Sequence, residues 1–208
     1  FINSKFNFEL YDSETQISIL VASFGAPNDG YTQETYTKGL TGPNIMLNNQ
    51  NIFKSKWKSE GMLYGESLGI YNATNFNKVT WSTNAQNIRN RSLTWYRSTF
   101  KTPYINQTTF TSLAIDMAGF NKGFIYINGY NLGRYFLIES TCNGQPHAYP
   151  DITLQWDTLY CGELPLQRYY TLPVDWLKPN GNVNDIVIIE EIGIDSLNGI
   201  CIVYCDAV

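Results

Sequence analysis

The chain has 208 residues, of which 43% are hydrophobic, 15% aromatic and only 15% charged. A chain of this length buries roughly 70% of its unfolded surface on folding, so a single self-sufficient domain is expected, with disulfides as support rather than necessity. The net charge of −4 and pI near 5.0, without a Lys/Arg stripe beyond the alternating Lys54, Lys56 and Lys58, speak against nucleic acid as a partner, and no apolar run approaches the ~20 residues of a membrane span.

Strand-like runs recur along the chain, each closed by turn chemistry. The first are residues 17–24 before GAPNDG, 44–47 before NNQN and 67–71 before NATNFN. Residues 93–100 and 109–116 follow, and then 123–127, where every side chain after Gly123 favours a strand. Asn128-Gly129 supplies the two positive-φ residues of a tight type I′ turn. The chain then returns over 132–137, where Gly133 relieves a crowded or bulged position and Arg134, beside Tyr135 and Phe136, predicts a guanidinium laid along an aromatic surface. Further strands are expected at 168–172, 186–190 and 199–204; Ile186-Val187-Ile188-Ile189 is apolar on both faces, as in a central strand covered on each side. Helix is scarce: Val174-Asp175-Trp176-Leu177 after Pro173 makes one short turn, ended by KPNG. No repeat or linker divides the chain. The sum is an all-β fold, read as one β-sandwich domain over residues 1–208.

The residues that carry reaction chemistry are sparse. Glycoside hydrolysis needs two carboxylates across a cleft, about 5 Å apart for retention and more for inversion. Glu190 and Glu191 are neighbours on a strand and point to opposite faces, so they make a poor pair. His147 is the only histidine, and QPHAYP around it offers neither an activated serine nor metal-ligand spacing, so no catalytic residue, metal or cofactor is expected. Sugar binding has better material. Carbohydrate sites combine an aromatic platform with planar polar groups, and the loop carrying His147, Tyr149, Asp151 and Trp156 holds both kinds, although it could equally cover a sandwich edge or contact a neighbouring domain.

Four cysteines allow three pairings of two disulfides, or four free thiols. If ICIVYC is one extended strand, Cys201 and Cys205 lie about 13 Å apart and cannot pair, since a disulfide needs Cα atoms within ~7 Å. Sequons stand at Asn72, Asn90 and Asn106, in expected loops or strand borders. Chance alone yields about three in a chain this rich in Asn, Ser and Thr, so only their placement makes them glycosylation candidates. The chain begins at Phe1 with no Met or signal-type run, which reads as an excerpt or a processed product.

The run LAIDMAGFNKGFIYINGYNLGRYF at 113–136 resembles the LDM, MGKG, WVNG and IGRYW segments of the jelly-roll region of plant-type family 35 β-galactosidases. Other blocks follow in that family's order: ISILVASFGAPNDG, KGLTGPNIML, GMLYGESLGIY, LTWYRSTFKTP, CGELPLQRYYTLPVDWLKPNGN and IVIIEEIG. Departures such as Tyr169 for the family's Trp and Leu166 for its frequent Ser are local. The resemblance implies an antiparallel jelly-roll sandwich, galactose-binding-domain-like, that supports a catalytic (β/α)₈ barrel located elsewhere in a parent chain. A chain this short and this poor in amphipathic helices does not itself read as such a barrel. The resemblance also implies a Cys142–Cys161 disulfide, an extracellular or lysosomal setting, structural duties for Asp116 and Glu66, and an arginine such as Arg134 or Arg168 paired with one glutamate of the Glu190-Glu191 block. Two alternatives stand beside it: a free-standing glycan-binding module, and a structural subunit that assembles with copies of itself.

Overall fold

In the computed structural model, the structure describes residues 17–21, 39–40, 45–83, 90–104, 111–137, 167–196 and 200–206. The chain forms two compact units, Phe1–Glu60 and Gly61–Val208. In the first, β1 (Met46–Leu47) pairs antiparallel with β2 (Gln50–Asn51). Asn48 and Asn49 both take positive φ, 46° and 66°, the backbone of a two-residue primed turn. Residues 17–21, expected to begin a strand, lie in none, and Ile19, Leu20 and Val21 are exposed. An apolar run becomes a strand only where a neighbour offers a ladder, and among the described residues none pairs with this one.

The second unit opens with a helix, α1 (Tyr64–Leu68), where a strand over 67–71 was expected. Helix signals decide this segment. The Glu66 carboxylate accepts from the Leu63 amide at 2.9 Å, and Gly69 closes the helix in the left-handed region, φ 66°. A 3₁₀ helix, Ala73–Lys78, follows, with Asn72 as its cap.

Seven strands then build two sheets: β3 (Thr94–Lys101), β4 (Thr111–Met117), β5 (Lys122–Ile127), β6 (Tyr130–Phe136), β7 (Tyr169–Leu172), β8 (Val183–Glu190) and β9 (Ile200–Asp206). The larger sheet runs β3-β8-β5-β6 and the smaller β7-β4-β9, with every pairing antiparallel. Leu113, Ile115 and Met117 of β4 and Leu172 of β7 pack against Ile125 and Ile127 of β5, Tyr135 of β6 and Ile186 and Ile188 of β8. This is an all-β antiparallel sandwich of the jelly-roll type. Alternation along β8 sends Val187 and Ile189 to the opposite face, where Leu63, Tyr71, Phe76, Trp81 and Trp95 cover them together with Tyr126. The strand is therefore apolar on both faces because both are buried. The expected short turn after Pro173 is present as a 3₁₀ helix, Val174–Trp176.

The β5–β6 hairpin follows the expected geometry. Asn128 and Gly129 have φ 50° and 88°, and Ile127 faces Tyr130 across the turn. The register slips where Ile125 faces Gly133 but Tyr126 faces Asn131, and Gly133 carries φ 118° at this bulge. Arg134 lies over the ring of Phe124, its cross-strand partner, 4.3 Å from the centroid.

Candidate functional site

Two carboxylates of the second unit, Asp116 and Glu190, are buried in the sandwich. Glu190, at the end of β8, is fully buried. One carboxylate oxygen accepts from the amide of Asn121 at 2.9 Å and the hydroxyl of Tyr135 at 2.8 Å; the other accepts from Ile192 at 2.9 Å and Gly193 at 3.2 Å, and the Lys122 amide reaches both at 3.3 Å. Backbone amides thus supply the donors without which a buried carboxylate is strongly disfavoured. Burial first, and then the Glu190 charge, push the Tyr135 hydroxyl well above the ordinary tyrosine range.

Adjacent Glu191 points the other way. It bonds Arg134 at 2.7 Å and Lys122 at 2.9 Å, so the arginine expected beside this block meets the second glutamate. Arg168 instead grips Asp116 with two bonds of 2.6 Å. That bond, helped by the Ala118 amide and the guanidinium charge, holds the Asp116 carboxyl below the usual carboxylate range against the opposing effect of burial. Glu66, besides capping α1, accepts from the Tyr126 hydroxyl at 3.3 Å. Asp116 and Glu66 therefore hold elements in place, as their motifs implied.

One end of the sandwich is organised by an amide network. The Asn128 side chain donates to the Trp176 carbonyl and to Asn184 Oδ1, both at 2.8 Å, and accepts from the Asp185 amide at 3.0 Å. Fully buried Asn184 donates to Thr102 Oγ1 at 2.7 Å and accepts from the Lys178 amide at 2.9 Å. The hairpin tip is thus sewn to the Val174–Trp176 turn. On its outside Tyr130 stacks on Trp176, with centroids 5.1 Å apart and planes 21° apart. The sequence signal for this pair was an aromatic after Asn-Gly and a Trp after Pro-Val-Asp, each unremarkable until the fold joins them. Elsewhere, a cleft of about 340 Å³ opens beside α1 with Leu63, Tyr64, Val79, Leu93 and Trp95 in its apolar walls.

The candidate sugar loop residues His147, Tyr149, Asp151 and Trp156, both members of the Cys142–Cys161 pair, and Asn106 lie outside the described residues. Asn72 and Asn90 are exposed. Asn72 Oδ1 accepts from the Thr74 amide at 3.1 Å and hydroxyl at 3.0 Å, a local turn that suits a cap. Cys201 is a free thiol on β9, its sulfur 3.9 Å from Asp116, and Cys205 falls four positions further along the same strand. That spacing in extended chain keeps the two from pairing. Among the described residues no helix is long and apolar enough to cross a membrane.

Comparison with known proteins bears on the same residues. Residues 93–182, from the start of β3 through the turn after β7, match the family described as β-galactosidase, galactose-binding domain. The chain is also 33% identical over 192 residues to a probable β-galactosidase 2 of Dictyostelium discoideum, an alignment that covers 85% of this chain and 25% of that protein. It therefore spans about a quarter of the relative's length. With the antiparallel sandwich and the Asn-Gly hairpin inside the matched segment, the chain carries a galactose-binding-like jelly-roll region similar to that of the family 35 β-galactosidases.

Proposed function

We propose that this region is the non-catalytic accessory part of an extracellular or lysosomal β-galactosidase, and that it packs against and shapes a catalytic (β/α)₈ barrel of the parent chain. The parent reaction is then retaining hydrolysis of terminal β-galactosides, with both catalytic glutamates in the barrel. The observation that carries this reading is the fate of the buried carboxylates. Glu190 is enclosed by amides and Tyr135, and Asp116 is clamped by Arg168, so each is committed to the fold rather than held ready for a proton or a nucleophilic attack. The match of residues 93–182 to a β-galactosidase galactose-binding domain supports the same reading.

The test begins with the gene. A reading frame that encodes an upstream barrel with two cleft glutamates supports the proposal, and a short frame opening near Phe1 rejects it. In the parent enzyme, deleting residues 1–208 should lower thermal stability and activity on a chromogenic β-galactoside. Hydrolysis of that substrate by the 208-residue chain alone would overturn the reading.

A further inference from the structure

We infer that the stacked Tyr130–Trp176 pair at the tip of the β5–β6 hairpin is a binding platform for a pyranose ring. Tyr130 is 55% exposed although its ring lies flat on an indole. Apolar surface left in water at a well-ordered position contributes nothing to folding, whereas a flat aromatic face is what the C–H face of a sugar ring stacks against.

The platform is preorganised. Asn128, two residues before Tyr130, is fixed by three side-chain hydrogen bonds, one of them to the carbonyl of Trp176 itself. The two aromatic residues are thus held by a common anchor in the backbone rather than by contact alone, and little ordering remains to oppose binding. The Val174–Trp176 turn also carries polar groups. Neither the Trp176 indole N–H nor the carboxylate of Asp175, its neighbour in sequence, has a hydrogen-bond partner among the described residues, and Asp175 is exposed. A donor and an acceptor in the turn that carries the aromatic plane are the groups that hydrogen-bond sugar hydroxyls.

Two sources can present such a ring. One is a glycoside from solution or from a neighbouring glycan. The other is the chain itself, because the Asn72 side-chain nitrogen, the atom a sequon glycan would be attached to, sits 3.3 Å from where a β-carbon on Gly129 would lie. Gly129 directly precedes Tyr130, so the first sugar on Asn72 would start beside the platform.

The experiment uses the full 208-residue chain in two preparations. Unglycosylated protein is titrated with methyl β-galactoside, methyl β-glucoside and N-acetylglucosamine while the Trp176 indole N–H signal, assigned by its loss in Trp176→Phe, is followed by NMR. A single stacked ring with a few exposed hydrogen bonds gives a Kd of about 1–10 mM. Tyr130→Ala should weaken it at least about tenfold, Tyr130→Phe should retain it, and Tyr169→Ala, which removes an exposed aromatic of β7, should leave it unchanged. Protein from a secretory host is examined for ring-current shifts of an Asn72-linked sugar that disappear in Tyr130→Ala. Either signal supports the platform and identifies its occupant. Binding that survives Tyr130→Ala in a folded protein overturns the inference, as does the absence of both signals. None of these readouts depends on a barrel, so failure here leaves the accessory-domain reading intact, and the reverse holds.

Discussion

A carboxylate sealed inside a sandwich must be surrounded by donors, and Glu190 shows how a strand end provides them. Where β8 stops, the amides of residues 192 and 193 turn back on the side chain, and those of 121 and 122 meet it from the start of β5. Glu190→Gln removes the charge and turns one acceptor into a donor facing donors, so it should lower unfolding stability by about 2–4 kcal/mol. Glu191→Gln, which weakens partly exposed ion pairs, should cost about 1 kcal/mol or less. Urea denaturation of both variants measures the contrast, and equal losses would count against the burial argument. Asp116 makes a separate prediction about acid. Its pKa is lower in the folded state than in the unfolded chain, so the unfolded chain binds the proton first as pH falls. The stabilisation is complete above the ordinary carboxylate range and is lost as pH drops through the lower folded value. Asp116→Asn should therefore reduce the melting temperature at neutral pH and flatten its decline on acidification. Melting curves from neutral to strongly acidic pH check this, and a parallel decline in the variant would contradict it.

The β5–β6 hairpin is the element in which local sequence and tertiary contacts agree most closely. Asn128 and Gly129 satisfy the turn, Asn128 then anchors it to the Trp176 turn, and Gly129 leaves room for Asn72. Replacing both by Ala forces two side chains into positive φ and removes the amide network, and each position should cost about 1 kcal/mol or more. Thermal unfolding tests it; an unchanged melting point would mean that the turn is not held as described. Such elements were legible because their signals are local. Strands β3 to β9 each coincide with an apolar or alternating run bounded by turn residues, and Asn-Gly specifies its own backbone. The miss at 67–71 has an equally local cause. SLGIY carries β-favouring residues, but Glu66 and Gly69 are a helix start and stop that outweigh them. What could not be read was pairing across the chain. Glu190 and Glu191 are chemically identical, and only the pleat and the turn after β8 decide which one meets amides and which meets Arg134. Tyr130 and Trp176 lie 46 positions apart in sequence, and no spacing rule announces their stack.

At the scale of the whole chain, the second unit holds both of its cores within itself. Every buried residue of the inter-sheet core lies between Leu113 and Ile194, and the partly buried hydrophobics packed on it extend only from Tyr96 to Ile202. The layer on the outer face of β8 comes from Leu63, Tyr71, Phe76 and Trp81 before β3, together with Trp95 and Phe124, all of which follow Gly61. Length and composition suggest one domain for the full chain, whereas the cores show that a fragment Gly61–Val208 carries every described side chain that either core needs. Such a fragment should fold alone, with a single cooperative melt. A fragment begun at residue 84 would keep the sheets, with Trp95 and Phe124, but lose Leu63, Tyr71, Phe76 and Trp81, exposing much of Val187, Ile189 and Tyr126. Each large apolar side chain so exposed forfeits about 1.5–3 kcal/mol, enough in sum to remove most of a domain's net stability. Calorimetry on the two fragments distinguishes these outcomes: cooperative unfolding of the longer and not the shorter is expected, and equal stability of both would show that the segment before β3 contributes no core.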